Sequence, residues 1–257
     1  MNITFKSIFS SITYVFIFLG CFFLMKNIPS LSPPVMLVIE YSSYVTFGVG
    51  IILSIRFNQG RVFLIILLLF LSQLFLNYYE KLSISTTAFS EVLYPLMCLL
   101  VPLNIVIISL LKERGIFSLW GKIRIALIVT QLIVVYMLTM ANHSSIQKVV
   151  NYKYIGSLFD NSIVNQTALV LFLFTLIFLI IKAVMKSSVF DARLVGVILS
   201  IFTALLFVQD KLSFSIFLSA TGLMLIIGVI EDSYSMAYVD ELTGIPSRRA
   251  LRENLMK

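Results

Sequence analysis

Eight apolar, nearly uncharged stretches of 15 to 21 residues constrain this chain more than any other feature. A helix needs about 20 such residues to cross the roughly 30 Å hydrocarbon core of a bilayer, where every backbone polar group must be paired. The stretches are 8–25, 35–55, 62–79, 92–111, 123–141, 167–185, 194–208 and 212–230. With 60% hydrophobic and only 12% charged residues, the chain is not a soluble globular domain. The sequence predicts an all-α fold, a polytopic membrane helical bundle of about eight transmembrane helices.

The seventh stretch, 194–208, is the shortest, so the distribution of basic residues decides whether it crosses. If all eight stretches cross, the inner segments carry ten Lys and Arg before the C-terminal tail, and the outer segments carry five. Basic residues gather in the cytoplasmic loops of membrane proteins. We therefore expect eight spans with both termini in the cytoplasm. The seventh helix is expected to extend back toward Val189, with the long side chain of Arg193 reaching the inner surface.

Polar residues near the outer ends of the predicted spans are the candidate ligand-sensing residues. Polar side chains at membrane depth are rare and mark functional sites by default. Five of them fall toward the outer face: Glu40, Asn77, Glu80, Glu91 and His143. Two interpretations stay open, a pocket for a cation or another small polar ligand of unknown identity, and interfacial residues that contact headgroups and water.

Nothing in the membrane part indicates catalysis or metal binding. Cys21 and Cys98 lie inside apolar stretches without a Cys or His at ligand spacing, which indicates small buried residues. The single histidine, His143, argues against a catalytic triad. We therefore predict no catalytic, cofactor-binding or metal-binding residue in the chain. The formal charge of +7 is explained by the inner segments, so the expected partner is the lipid bilayer and not nucleic acid.

The composition changes abruptly after Ile230. Residues 231–239 are predicted to continue the last span as a helical linker. Gly244 is suited to end one element, and Pro246 and Ser247 are typical of the start of the next helix. The sequence thus predicts a short cytoplasmic helix-turn-helix tail.

Four residues near the end of the last span share a coiled-coil spacing. They follow one another at +3, +4 and +3: Ile227, Ile230, Tyr234 and Ala237. Such a stripe can pair two protomers into a homodimer through the last span and the linker. Packing against lipid or within the same chain is the alternative.

The tail also resembles the start of a known catalytic domain. Residues 240–249 read D-x-L-T-G-x-P-x-R-R and are similar to the opening of GGDEF domains, the catalytic domains of diguanylate cyclases, which usually read D-x-L-T-G-L-x-N-R-R. The departures are Ile245 for the common Leu and Ser247 for the common Asn. The linker and the matching positions are the residues expected to join the two domains: Tyr234, Asp240, Leu242, Thr243, Gly244, Arg248 and Arg249.

The resemblance implies a domain organisation and a function. It divides the chain into a transmembrane sensor or anchor domain at 1–230, the linker at 231–239, and a truncated start of a GGDEF domain at 240–257. A parent enzyme of this family, in the inner membrane of a bacterial cell, converts two GTP into cyclic di-GMP and two diphosphates with Mg²⁺. The family's catalytic residues would follow Lys257, so the chain alone is expected to be inactive. The alternative is a stand-alone small membrane protein, either a transporter or an accessory subunit, whose tail matches by chance.

Overall fold

The structure, a computed structural model, describes residues 3–82, 92–141, 164–186 and 188–238, with side chains at 12–77, 92–139, 164–186 and 188–238. In these ranges it contains eight α-helices and a 3₁₀ turn at Ile28–Ser30. The helices are α1 (Ile3–Asn27), α2 (Pro33–Arg56), α3 (Gly60–Leu82), α4 (Tyr94–Leu110), α5 (Leu119–Ala141), α6 (Gln166–Lys186), α7 (Val189–Leu206) and α8 (Lys211–Tyr238). Each of them coincides with one of the apolar stretches of the sequence.

Seven of the described helices are long and apolar enough to cross a membrane, and α7 is one of them. It starts at Val189, as expected, and its 18 residues reach about 27 Å. The exception is α4, which is apolar but only 17 residues long and contains Pro102 in its interior. The predicted all-α polytopic bundle is confirmed, with seven full-length helices and a shorter eighth in the described part of the chain.

A tight turn joins α2 to α3. The helix α2 begins with Pro33, where a missing N–H breaks no helical hydrogen bond. At the other end of α2, Asn58 has a φ of 54°, in the left-handed region that Asn tolerates better than most residues. Its Oδ1 accepts a hydrogen bond of 3.0 Å from the backbone N–H of Ile116. The α2–α3 turn is therefore fastened to the connection between α4 and α5.

The helix α8 occupies the centre of the bundle. It is the most buried of the candidate membrane helices, with 78% of its apolar stretch inside the protein. It packs against α2 and α7, and also against α1 and α3. By contrast, α5 contacts the bundle chiefly through α3 and exposes large apolar side chains such as Leu127 and Met137. The helix that leads into the tail is thus held by several neighbours at once.

The close approach of α2 and α8 at Gly222 gives a first prediction. A methyl group at Gly222 would lie 2.7 Å from Thr46 Oγ1 and 3.0 Å from Thr46 Cβ. Gly222→Val should therefore push the two helices apart and lower the free energy of unfolding by about 1–3 kcal/mol, the usual cost of overpacking. Gly48→Val is the control, because nothing lies within 4 Å of a methyl group at Gly48. Thermal unfolding of both variants in detergent tests this, and equal midpoints would contradict it.

Charged groups are distributed unevenly between the two ends of the bundle. Four ion pairs between described residues lie at the end where α2 meets α3, α6 meets α7, and α8 leaves the bundle. These pairs are Arg61–Glu113, Lys182–Asp191, Arg193–Glu231 and Arg193–Asp232. We call this the basic end, and we call the opposite end, where α2 and α8 begin, the far end.

Candidate functional site

The structure describes the side chains of two of the five candidate sensing residues, Glu40 and Asn77. Both lie in the far half of the bundle, on α2 and α3. No hydrogen bond joins these two side chains in the described structure. The side-chain partner of Asn77 is the hydroxyl of Tyr44, which accepts from Asn77 Nδ2. Glu40 forms no ion pair among the described residues, and its backbone carbonyl accepts from Ser215 Oγ at 3.0 Å. The remaining three side chains lie outside the described ones: Glu80, Glu91 and His143.

Asn77 lines a groove between α3 and α5 that has a volume of about 630 Å³. Apolar side chains of both helices form its walls, among them Leu74 and Ile133, and Tyr44 and Tyr136 add polar atoms to the lining. Leu74 is 41% exposed and Ile133 is 52% exposed, so the groove opens on the surface that these helices turn to lipid. Glu40 is not among its lining residues. The structure therefore places Asn77, and not Glu40, in a cavity that a ligand can enter.

A second group of polar residues, at the basic end, fixes the point where α8 leaves the bundle. Arg193 of α7 is only 5% exposed. Its Nη1 donates to Asp232 Oδ1 at 2.7 Å and to the Gly228 carbonyl at 3.3 Å, and its Nη2 lies 2.8 Å from Glu231 Oε2. We call Arg193, Glu231 and Asp232 the Arg193 clamp. A single side chain of α7 thereby holds two successive residues of α8.

The prediction that Arg193 reaches the inner surface is wrong. A basic side chain near a helix end can extend to the lipid headgroups, but here two carboxylates of the neighbouring helix α8 lie within ion-pair distance. A guanidinium this buried requires such partners, because an unpaired charge away from water is costly. The sequence did contain the signal: Glu231 and Asp232 directly follow the last apolar stretch, at the same predicted end as Arg193.

Two further polar contacts strengthen the basic end around the Arg193 clamp. Gln59, in the α2–α3 turn, donates from Nε2 to the Val229 carbonyl at 3.2 Å and to Ser233 Oγ at 3.5 Å. The α8 helix is thus held by the side chain of Arg193 from α7 and by the side chain of Gln59 from the α2–α3 turn.

A further ion pair at the basic end joins three other helices. Lys182 Nζ lies 2.8 Å from Asp191 Oδ1 and also donates to the Ser109 carbonyl, so α6 is connected to α7 and α4.

The linker residues are described as far as Tyr238. The helix α8 continues through Glu231 to Tyr238 without a break. Tyr234 is 62% exposed, and its ring stacks on that of Tyr238 with 4.3 Å between centroids. The other residues expected to join the domains lie outside the described part: Asp240, Leu242, Thr243, Gly244, Arg248 and Arg249.

The arrangement is suited to binding and to mechanical coupling. Among the described residues, no group of three or more His, Cys, Asp or Glu side chains is placed to hold a metal ion. The acidic pair of the clamp is already engaged by Arg193. A movement of α7 against the bundle would instead be passed to α8 through the clamp.

Comparison with known proteins adds no assignment to this geometry. The chain matches no protein-family model, no curated protein and no solved structure. The functional interpretation therefore rests on the residues and on their arrangement.

Proposed function

We propose that residues 1–230 form the membrane sensor or anchor region of a diguanylate cyclase in the inner membrane of a bacterial cell, and that residues 231–239 are its linker. The observation that carries the proposal is the path of α8, which runs unbroken from the core of the bundle through the Arg193 clamp to Tyr238. The sequence that resembles the start of a GGDEF domain begins two residues later, at Asp240. A helix held in this way transmits a rotation or shift of the bundle to whatever follows it. GTP and Mg²⁺ would bind to the catalytic domain and not to these residues.

The proposal includes a homodimer formed through α8. In the stripe of Ile227, Ile230, Tyr234 and Ala237, Ile230 is 50% and Tyr234 is 62% exposed, whereas Ile227 is partly buried against the core. Leu223 is 45% exposed and extends the same spacing by four residues toward the membrane. Tyr234 and Ala237 lie beyond the charged layer of the clamp, where lipid tails no longer cover them but the same stripe of a second copy can.

The test is to join this chain at Asp240, in register, to an active GGDEF domain and to measure cyclic di-GMP in cells. We expect the fusion to raise cyclic di-GMP well above the same catalytic domain expressed without the bundle, because the bundle brings two catalytic domains together. A fusion no more active than the isolated domain would contradict the proposal and favour a stand-alone membrane protein.

The chain of 257 residues by itself should produce no cyclic di-GMP above the vector control. Phosphoryl transfer needs metal ions held by acidic residues next to the phosphates. Among the described residues, no three or more His, Cys, Asp or Glu side chains come together to hold a metal ion, and Arg193 pairs with the adjacent Glu231 and Asp232. Nucleotide extraction and mass spectrometry of cells that express the chain measure this, and any rise over the control would show that the chain is itself an enzyme.

The topology that we propose places the basic end in the cytoplasm, in agreement with the ten-to-five distribution of basic residues. Reporters fused after Lys26, Lys81 and Lys211 should then be outside, and those fused after Lys122, Lys186 and Lys257 should be inside. Alkaline phosphatase, which is active only outside, and a fluorescent protein, which folds inside, distinguish the compartments. The Lys186 and Lys211 fusions flank α7, so equal signals from these two would show that α7 does not cross.

A further inference from the structure

We propose that the groove between α3 and α5 is a binding site for an uncharged amphiphile, with its apolar chain between the helices and a hydroxyl head on Tyr44 and Asn77. Both residues line the groove, and they contact each other through the Asn77 Nδ2 to Tyr44 hydroxyl hydrogen bond. The proposal names both the occupant and the two groups that would recognise it.

The polar pair lies near the outer edge of the hydrocarbon layer. Asn77 lies 17 residues after Gly60, or about 25 Å along α3, and two residues before the apolar stretch 62–79 ends. Tyr44 reaches the same level from α2, since side chains on a helix point back toward its N-terminus, which for α2 is at the far end. The head of an amphiphile in the groove would therefore lie at the edge of the hydrocarbon layer, with its chain inside the layer.

The hydrogen bond between the two residues leaves one donor and one acceptor on side chains that line the groove. Asn77 Nδ2 uses one lone pair of the Tyr44 oxygen, so the Tyr44 O–H is left to donate and Asn77 Oδ1 is left to accept. A hydroxyl group both accepts and donates, and it can therefore bind to the two atoms at once. A carbonyl head, as in an ester, can accept from Tyr44 but can give nothing to Asn77.

The rest of the groove fixes the character of the ligand. Apart from the two tyrosines, the described residues of its lining include no titratable side chain, and none of them supplies a counter-charge for a phosphate or an ammonium group. The walls are Leu, Val, Ile and Phe side chains, which suit an alkyl chain. A volume of about 630 Å³ lies within the usual range of about 300–1,000 Å³ for small-molecule sites. These features favour a single-chain amphiphile over the headgroup of a phospholipid.

A signalling role for the groove rests on the proposed function, because the amphiphile would then be the ligand that the membrane region senses. Binding itself does not depend on that function. Photolabelling measures binding alone, so a negative result counts against the site and not against the proposed cyclase function.

The experiment uses the full chain in phospholipid nanodiscs and a C16 monoacylglycerol that carries a diazirine in its acyl chain. After illumination, mass spectrometry of peptides should locate the label on the α3 and α5 segments that line the groove. Tyr44→Phe removes the donor and should lower this labelling about fivefold, the effect of one lost hydrogen bond. Tyr41→Phe is the matched control, since Tyr41 is on the same helix, is 57% exposed and does not line the groove.

A second variant keeps the test meaningful if Tyr44→Phe disturbs the packing with Asn77. Val129 is 40% exposed and lines the groove, so Val129→Trp should fill the space and abolish labelling there without a change in the core. A methyl ester probe with the same diazirine chain loses the hydrogen bond to Asn77 and should label the groove about fivefold less than the monoacylglycerol. The proposal would be overturned if labelling were equal on all lipid-exposed helices. It would also be overturned if Tyr41→Phe and Tyr44→Phe had the same effect on labelling of the groove.

Discussion

Replacing Glu231 and Asp232 together by Ala is expected to lower the free energy of unfolding by about 3–5 kcal/mol, the loss typical of a buried charge that loses its partners. The reason is the depth of Arg193. Its side chain is 6% exposed, against 25% for Glu231 and 37% for Asp232. With both carboxylates gone, the guanidinium stays inside the protein with neither counter-ion. Thermal unfolding of the purified chain in detergent measures the effect.

The difference in exposure between Arg193 and the two carboxylates predicts that removing Arg193 lowers the stability less than removing both carboxylates. In Arg193→Met, the two carboxylates can turn to the water that already reaches them, so this variant should be less destabilised than the double Ala variant. Adding Arg193→Met to the double Ala variant should then restore much of the lost stability, because replacing a buried ion pair by apolar groups is often neutral. A triple variant less stable than the double variant would contradict this explanation.

The control for the clamp is another ion pair at the same end. Glu113 pairs with Arg61 at 2.7 Å, but the two side chains are 41% and 23% exposed. Exposed pairs contribute about 1 kcal/mol or less, so Glu113→Ala should have little effect on the unfolding midpoint. Arg61 also keeps its position over the ring of Phe190, 4.1 Å from the centroid. Equal losses for Glu113→Ala and the double Ala variant would mean that burial of Arg193 is not what makes the clamp strong.

Most of the fold can be predicted because membrane helices carry their own signal. A stretch such as 62–79 must become a helix in lipid whatever its neighbours do, because only a helix pairs its backbone internally. The start of α7 at Val189 also follows from simple physics, since 194–208 is too short to span alone. The shortening of α4 to Tyr94–Leu110 was not predicted, because hydropathy alone does not show where a helix ends.

The candidate sites were harder to predict because each is assembled from distant parts of the chain. Glu40 stands out in the sequence as a carboxylate in an apolar stretch, yet it lines no part of the groove. Tyr44 is an unremarkable aromatic residue until α2 places it against Asn77 of α3. The clamp joins residues 39 positions apart, Arg193 and Asp232. The rule that a basic residue near a helix end extends to the membrane surface does not take into account the carboxylates that helix packing places beside Arg193.

The register of the linker should control the output of the joined enzyme. In the fusion of this chain to an active GGDEF domain, one residue inserted after Ser235 rotates everything downstream by about 100°, whereas seven residues rotate it by about 700°, within roughly 20° of the starting register. The insertion point follows Asp232, so the Arg193 clamp stays intact in both variants. Any difference between them therefore arises in the linker itself.

We expect the single insertion to change cyclic di-GMP synthesis by about tenfold, since small misplacements of reacting groups are costly, and the seven-residue insertion to preserve most of it. The physical reason is the stripe on α8: a rotation of 100° turns Ala237 away from the face that carries Ile230 and Tyr234, while two full turns return it. Synthesis is compared at matched membrane levels, with a catalytically dead GGDEF domain as the baseline. Equal activity of the two insertions would show that the linker is a passive tether, and the bundle would then serve only as an anchor.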